Sequence, residues 1–464
     1  MSASVSEKMM SSVSDSLSQW AMNLTCAEIP IAVQHAAARH LLDGVGLAIA
    51  AHRLKAATAA CTVARALMSD PGARMVGGLE QLAVPGAALA NGVLVHALDF
   101  DDTHSQGLVH ATAVTLPAAF SVGQIRQSSG SEVLAASIVG YETVCRVAAA
   151  SPHGFHARGL HATSVSGTLA AALVTSRLQN ASANTASNAL GIAGSTSGGL
   201  LEFLDSGSDT KTLHPGLASM NGVIAAELAA AGGQGPNSVL EGKRGLYAAL
   251  SARSADPGFV IAGLGESWET SRISIKPIPA CQLMHVTLDA AKETPIRAEE
   301  IISIEVVVHP DSAAVVCEPR DIKNSPRTPY DAKFSLPWSL AAQIIDGEIT
   351  IDTYSAEFVD RPEVVRLAEL VTVTLGPAEG AAAEAAGLVR IHSRNGSVWQ
   401  GRVTGSRGTP MHPMSDDSLI AKFRANCGDS ALAEELADLT LNLCHQPNLE
   451  RVHDLASTIV IQEA

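Results

Sequence analysis

The sequence predicts a mostly α-helical protein with one large all-helical domain and one smaller α+β domain. Three observations carry this reading. Apolar residues recur at helical spacing through most of the first 270 residues. Near Trp268 the pattern changes to short, β-branched, alternating runs. Helical spacing returns near Ser415, where Asp416 and Asp417 suit the positive end of a helix.

Helices are predicted over residues 33–51, 57–68, 86–98, 132–150, 164–178, 183–191 and 219–231, punctuated by Gly, Ser, Pro and Asp. Many are apolar on more than one face, which calls for a multilayer helical core. Extended segments follow at 272–275, 301–309 (IISIEVVVH), 371–375 (VTVTL), 388–392 and 398–404. Helices at 286–293, 336–346 and 362–368 lie between them, giving an antiparallel or mixed sheet. The three-proline stretch 318–330 is a polar loop, and 408–413 marks a boundary. The final helices, 432–443 and 449–459, are expected to pack back on the first domain. There is no internal repeat and no heptad run.

Composition bounds the function. A chain of 464 residues, 47% of them hydrophobic, is long enough for more than one core. Only 17% are charged and 3% aromatic, so small side chains pack closely and much surface is covered, as in an oligomer. The net charge of −15, without a basic stripe or aromatic ladder, argues against nucleic acid as a partner. Lys, Arg and His focused in one pocket still suit an anionic substrate. Seven widely spaced cysteines with no CxxC pair fit reduced thiols in the cytoplasm. The N-terminal segment lacks a signal-peptide core, and no apolar stretch is long enough for a bilayer, so a soluble cytoplasmic protein is expected.

Four constellations carry candidate chemistry. The densest is 91–110, NGVLVHALDFDDTHSQGLVH, where Asp99, Asp101 and Asp102 stand among His96, His104 and His110. Such charge has no place in a core unless it is paired or used. A helix running through Asp102 puts Asp99 and Thr103 one turn apart on one face, with His96 a turn earlier. Carboxylate beside imidazole fixes a tautomer and raises basicity. Asp101 and Asp102 then shape or solvate the helix end. Capping alone explains one aspartate, not the cluster. The second is 154–167, GFHARGLHATSVSG, where His156 and His161 precede a helix whose first amides can receive an anion. In the third, 201–221, Lys211 and His214 offer a cation and a neutral donor to a carboxylate, and Ser208, Asp209 and Thr210 read as turn formers. In the fourth, RISIKPIPACQLMH, Lys276 reads as an anion anchor or proton donor and Cys281 as a packed structural thiol. The oxygen-rich DFDDTH run suits Mg or Mn, but HExxH and paired CxxC are missing, and no metal is expected. GxGxxG after a strand, Walker A and GxSxG are also missing, so neither a nucleotide cofactor nor serine hydrolysis is indicated.

Taken together, LDFDDTH, GFHARGLHATSVSG, KTLHPGLASMNG, LEGKRGLY and KPIPACQLMH resemble the MmgE/PrpD family in order and spacing, over about residues 12–455. Its members include 2-methylcitrate dehydratase, cis-aconitate decarboxylase and iminodisuccinate epimerase. The resemblance implies an all-helical domain from residues 1–270 and 410–464, an α+β lid from 271–409, and commonly a homodimer. It also implies a pocket between the two and no cofactor. It assigns Asp99, His110, His161 and Lys276 to catalysis, and Thr103, Lys211, His214 and Tyr330 to substrate binding. His104, where many members carry tryptophan, joins the binding set, and His110 lies one residue farther from Asp99 than in the decarboxylase pattern. The shared chemistry implied is a carbanion beside a carboxylate of a small polycarboxylate. Two histidine loops plus His104 supply opposed acid/base groups. They point to an epimerase of the iminodisuccinate type, acting by Cα deprotonation and reprotonation. A 2-methylcitrate-type dehydratase is the runner-up, and a cis-aconitate-type decarboxylase comes third.

Overall fold

The computed structural model describes residues 11–69 and 72–462. The first ten positions, part of the segment read for a leader, lie outside the described residues. The protein is predominantly α-helical with a small mixed β-sheet, as the patterning predicts.

At its centre runs helix Ala162–Leu178, in which every residue but Arg177 is buried. Gly167 and the Ala170–Ala172 run leave room for neighbours on all sides. Helices Ala111–Arg126, Gly130–Ala149 and His214–Ala230 surround it. Gly130–Ala149 begins in a capping box between Ser129 and Glu132. Helix Ala111–Arg126 follows the acidic run directly and continues through Pro117, which lies inside it. His214–Ala230 starts five residues before the predicted 219, with Pro215 in its first turn, where a missing N–H costs nothing.

Two hydrophobic clusters organise the chain. One runs from Leu17 to Ile275 and takes in Leu419, Phe423, Leu436, Leu455 and Ile459, so the last helices pack on the first ones. The other runs from Ile278 to Ile391. It lies against a four-stranded sheet in which Ile301–Val308 pairs parallel with Val371–Leu375 and antiparallel with Gly387–Ser393. Val398–Val403 completes the far edge. Ile304 and Val306 face inward, opposite Ile391 and Val389. Among the described residues, no helix is long and apolar enough to cross a membrane.

Two local expectations are corrected. The predicted helix 86–98 ends at His96, and Asp99 turns into the left-handed region at φ 51°, so no helix carries Asp99 to Thr103. The predicted extended run 272–275 does not join the sheet. Instead Ile273–Ser274 pairs antiparallel with Thr103–His104 in a two-stranded ribbon. That ribbon brings the acidic turn alongside the segment carrying Lys276.

The helices Val84–His96 and His214–Ala230 cross in backbone contact. A Cβ on Gly92 would lie 2.6 Å from the Gly216 Cα, and one on Gly216 would lie 2.4 Å from the Leu89 carbonyl oxygen. Backbone cannot move aside as a flexible side chain can. Gly92→Ala is therefore expected to cost about 1–3 kcal/mol of stability by overpacking, read as a lower urea midpoint. An unchanged midpoint would refute the contact.

Candidate active site

The turn after His96 leads directly into a charge cluster. Asp99 is fully buried. Its Oδ1 accepts from Lys211 Nζ at 2.7 Å and Lys276 Nζ at 3.2 Å. Lys276 Nζ also donates to the Asp99 carbonyl at 2.9 Å. Burial alone would raise the Asp99 pKa, but Lys211, Lys276 and then His96 override it and hold the carboxyl well below its usual range. Asp99 is thus a fixed anion that positions two amines, with Oδ2 left without a protein partner.

Two histidines reach the same place from helix starts. His110 precedes Ala111–Arg126, and His161 precedes Ala162–Leu178. The His110 backbone N–H donates to Thr163 Oγ1 at 3.0 Å, which ties the two starts together. His110 Nδ1 lies 2.9 Å from the Asp102 carbonyl oxygen. A carbonyl only accepts, so Nδ1 carries the hydrogen and Nε2 keeps its lone pair. His161 Nδ1 pairs with His214 Nδ1 at 3.1 Å. Burial lowers the pKa of both His110 and His161 well below the ordinary value. Lys211 and Lys276 lower His110 further, and His214 and Lys211 do the same to His161. Burial likewise brings His214 down to about 4. The free protein therefore holds these rings as neutral bases.

Asp99, Thr103, His110, His161 and Lys211 line one cavity of about 300 Å³, with Leu201, Phe203, Leu204 and Phe334 as its apolar wall. Three of the expected residues stand just behind it. Lys276 is wholly buried behind Asp99, His214 backs His161, and Tyr330 packs against Phe334 at 5.5 Å between ring centres. The Tyr330 hydroxyl has no protein partner, and burial, then Asp99 and Asp101, push its pKa well up. His104 is not brought to this place. Its Nε2 lies 2.9 Å from Glu269 Oε2, and its Nδ1 accepts from the Gly107 amide. A larger hollow of about 880 Å³ beside Trp20 and Trp268 has no histidine or lysine among the described residues that line it.

Asp101 and Asp102 do not solvate a helix end, because both are buried. Asp101 Oδ2 lies 2.8 Å from His96 Nδ1. Asp102 accepts from the Thr112 amide and hydroxyl at 3.0 and 2.6 Å and faces His40 Nδ1 at 3.1 Å. Cys281 lines the cavity instead of only packing, and burial keeps its thiol protonated. Sequence reading missed Lys333, whose amine donates to the Leu98 and Pro279 carbonyls at 2.7 and 2.9 Å, and which burial brings down to about 7. No motif surrounds it. His96, His110 and His161 also stand close enough to offer three nitrogens to one metal ion. The two ammonium groups on Asp99 already supply the positive charge there and oppose another cation.

The MmgE/PrpD N-terminal domain family matches residues 15–257, and the C-terminal domain family matches residues 278–445. The chain belongs to the MmgE/PrpD family. Within this family, a cis-aconitate decarboxylase of Aspergillus terreus is 29% identical over 93% of each chain. The cis-aconitate decarboxylase of Mus musculus is 28% identical over 76% of each. That of Homo sapiens is 27% identical over 73% of this chain and 72% of its own. The two MmgE/PrpD matches end at 257 and begin at 278, and Lys276 lies in the interval between them.

The Asp99 cluster has a measurable acid signature. A carboxylate whose folded pKa is depressed stabilises the fold above its unfolded value of about 3.9, and that contribution is lost as pH falls through the lower folded value. Lys276→Met removes one of the two compensating charges. It is expected to destabilise the protein at pH 7 by up to about 3–5 kcal/mol and to flatten the acid limb of urea stability below about pH 4. A variant as stable as wild type, with the same acid limb, would refute the pairing.

Proposed function

We propose that this chain is a cofactor-independent lyase that removes carbon dioxide from a small unsaturated polycarboxylate, cis-aconitate or a close analogue. The observation that carries this is the cavity shared by Lys211, His110 and His161, in a chain co-linear over most of its length with cis-aconitate decarboxylases. The Lys211 ammonium and the Thr103 hydroxyl, which has no protein partner, receive a substrate carboxylate. Asp99 holds Lys211 in place. The apolar wall strips water from the carboxylate that leaves as neutral carbon dioxide.

The carbon–carbon bond to that carboxylate breaks. Its electron pair moves through the adjacent double bond to the carbon beside a retained carboxylate. A proton then joins that carbon, so one proton is consumed per turnover. His110 is the donor in this scheme. In the free protein it is neutral. Substrate negative charge offsets Lys211 and Lys276, raises the His110 pKa, and draws a proton from solvent onto Nε2.

Epimerisation, the first expectation from sequence, needs acid/base groups on opposite faces of one carbon. His104, expected to help supply them, is turned to Glu269, and the relatives support lyase chemistry instead. Dehydration is the nearer alternative. A homodimer belongs to this proposal: Leu217, Ile224 and Leu228 form an exposed stripe on helix His214–Ala230 that a second copy would cover.

Three checks follow. In deuterated water, proton NMR with cis-aconitate should show carbon dioxide loss and one deuterium in the product. Interconversion of iminodisuccinate stereoisomers, or an alkene formed from 2-methylcitrate, would replace this reading. His110→Asn should lower kcat by about 10²–10⁴-fold while the protein still folds. Calorimetry at pH 7 in buffers of different ionisation enthalpy should show proton uptake on ligand binding, with binding weakening as pH rises. Heat independent of the buffer would exclude His110 protonation in the complex.

A further inference from the structure

The outer part of the cavity is lined by His153, His156, Arg253 and Asp311, which the scheme above leaves unused. Arg253 follows the short helix Leu246–Leu250 on the helical side. Asp311 lies in the first turn of Pro310–Val316 on the α+β side. They meet loosely across the opening. Arg253 Nη2 is 3.5 Å from Asp311 Oδ1, and His153 Nδ1 is 3.8 Å from Asp311 Oδ2. The Arg253 and Asp311 side chains are 45% and 36% exposed, so this pair is partly hydrated and weak.

The contrast with the floor is informative. There Lys211 is buried and held by Asp99 at 2.7 Å. Among the described residues lining the cavity, Lys211 is the one lysine and Arg253 the one arginine. A row of imidazoles joins the two cations: His161 to His156 at 6.2 Å and His156 to His153 at 6.4 Å between ring centres. His156 Nδ1 is buried without a protein partner. The unpartnered His156 Nδ1, in its Nδ1–H tautomer, and the loosely held guanidinium lining the same cavity can both donate to an added carboxylate.

We propose that Arg253 and His156 form a second carboxylate subsite, which takes the distal carboxylate of a tricarboxylate whose reacting end lies at Lys211 and His110. Asp311 holds Arg253 in place when the subsite is free, and the substrate carboxylate displaces it. The fork of a guanidinium matches a carboxylate with two parallel hydrogen bonds, which the long contact to Asp311 does not provide. This subsite rests on the reading of the cavity as a polycarboxylate site, and it makes that site selective for three carboxylates over two.

The test is calorimetric titration of the full chain with propane-1,2,3-tricarboxylate, which has no double bond to react, and with maleate, which lacks the third carboxylate. Wild type should bind the tricarboxylate more tightly. Arg253→Gln should weaken the tricarboxylate about tenfold or more and leave maleate within about twofold, the loss expected for one charge-assisted contact. Asp311→Asn should tighten the tricarboxylate, because the competing carboxylate is gone. Equal loss for both ligands in Arg253→Gln, no loss for either, or no preference in wild type would overturn the subsite. Turnover separates the two ideas. Arg253-dependent binding without carbon dioxide release from cis-aconitate keeps the subsite and removes the decarboxylase reading. Release with an unchanged KM in Arg253→Gln does the reverse.

Discussion

A buried aspartate held in its charged form sets the terms for the surrounding structure. Asp99 is out of water, so its charge must be met by protein, and two amines from distant segments meet it. Lys211 comes from the turn before His214–Ala230, and Lys276 from two residues beyond the strand Ile273–Ser274 that pairs with Thr103–His104. Each amine needs its element within hydrogen-bond reach of one turn. The glycine contact between Val84–His96 and His214–Ala230 and the two-stranded ribbon both serve that requirement. Fold and site are here one constraint seen at two scales.

Burial first, and nearby positive charge second, set the state of the imidazoles. His110 and His161 are buried and close to positive charge, so protonation is disfavoured twice. An anionic ligand reverses the second penalty and leaves the first. Acid/base capacity in this cavity is thus a property of the complex more than of the free protein. Tyr330, pushed the other way by Asp99 and Asp101, keeps its proton beside the same charges.

Much of this was legible in the sequence, and the omissions have physical causes. Long apolar runs bounded by Gly, Ser, Pro and Asp located most of the central helices, and β-branched runs located all four strands of the sheet. The helix ending at His96 was read too long, since nothing in ALDFDD forbids another turn locally. Its end is imposed by tertiary bonds from Lys211 and Lys276. His104 was misplaced for a related reason. In a strand, neighbours point to opposite faces, so Thr103 reaches the cavity and His104 reaches Glu269. Adjacency in a motif cannot show that alternation until the strand is known. Arg253 and Lys333 stand in stretches with no pattern at all, and only the folded chain gives them partners.

Lys333 has a mechanical consequence. Its amine spans the Leu98 carbonyl, on the turn that leads to Asp99, and the Pro279 carbonyl, on the segment beyond Lys276. Both acceptors are buried, so neither bond can be handed to water without cost. Pulling the turn before Asp99 away from the segment beyond Lys276 would break the Leu98 bond and the two bonds from Lys276 to Asp99, while Lys333 and Pro279 would move together. The amine therefore clasps the floor of the cavity with two short buried bonds, whereas at the far rim Arg253 and Asp311 meet in a single long contact.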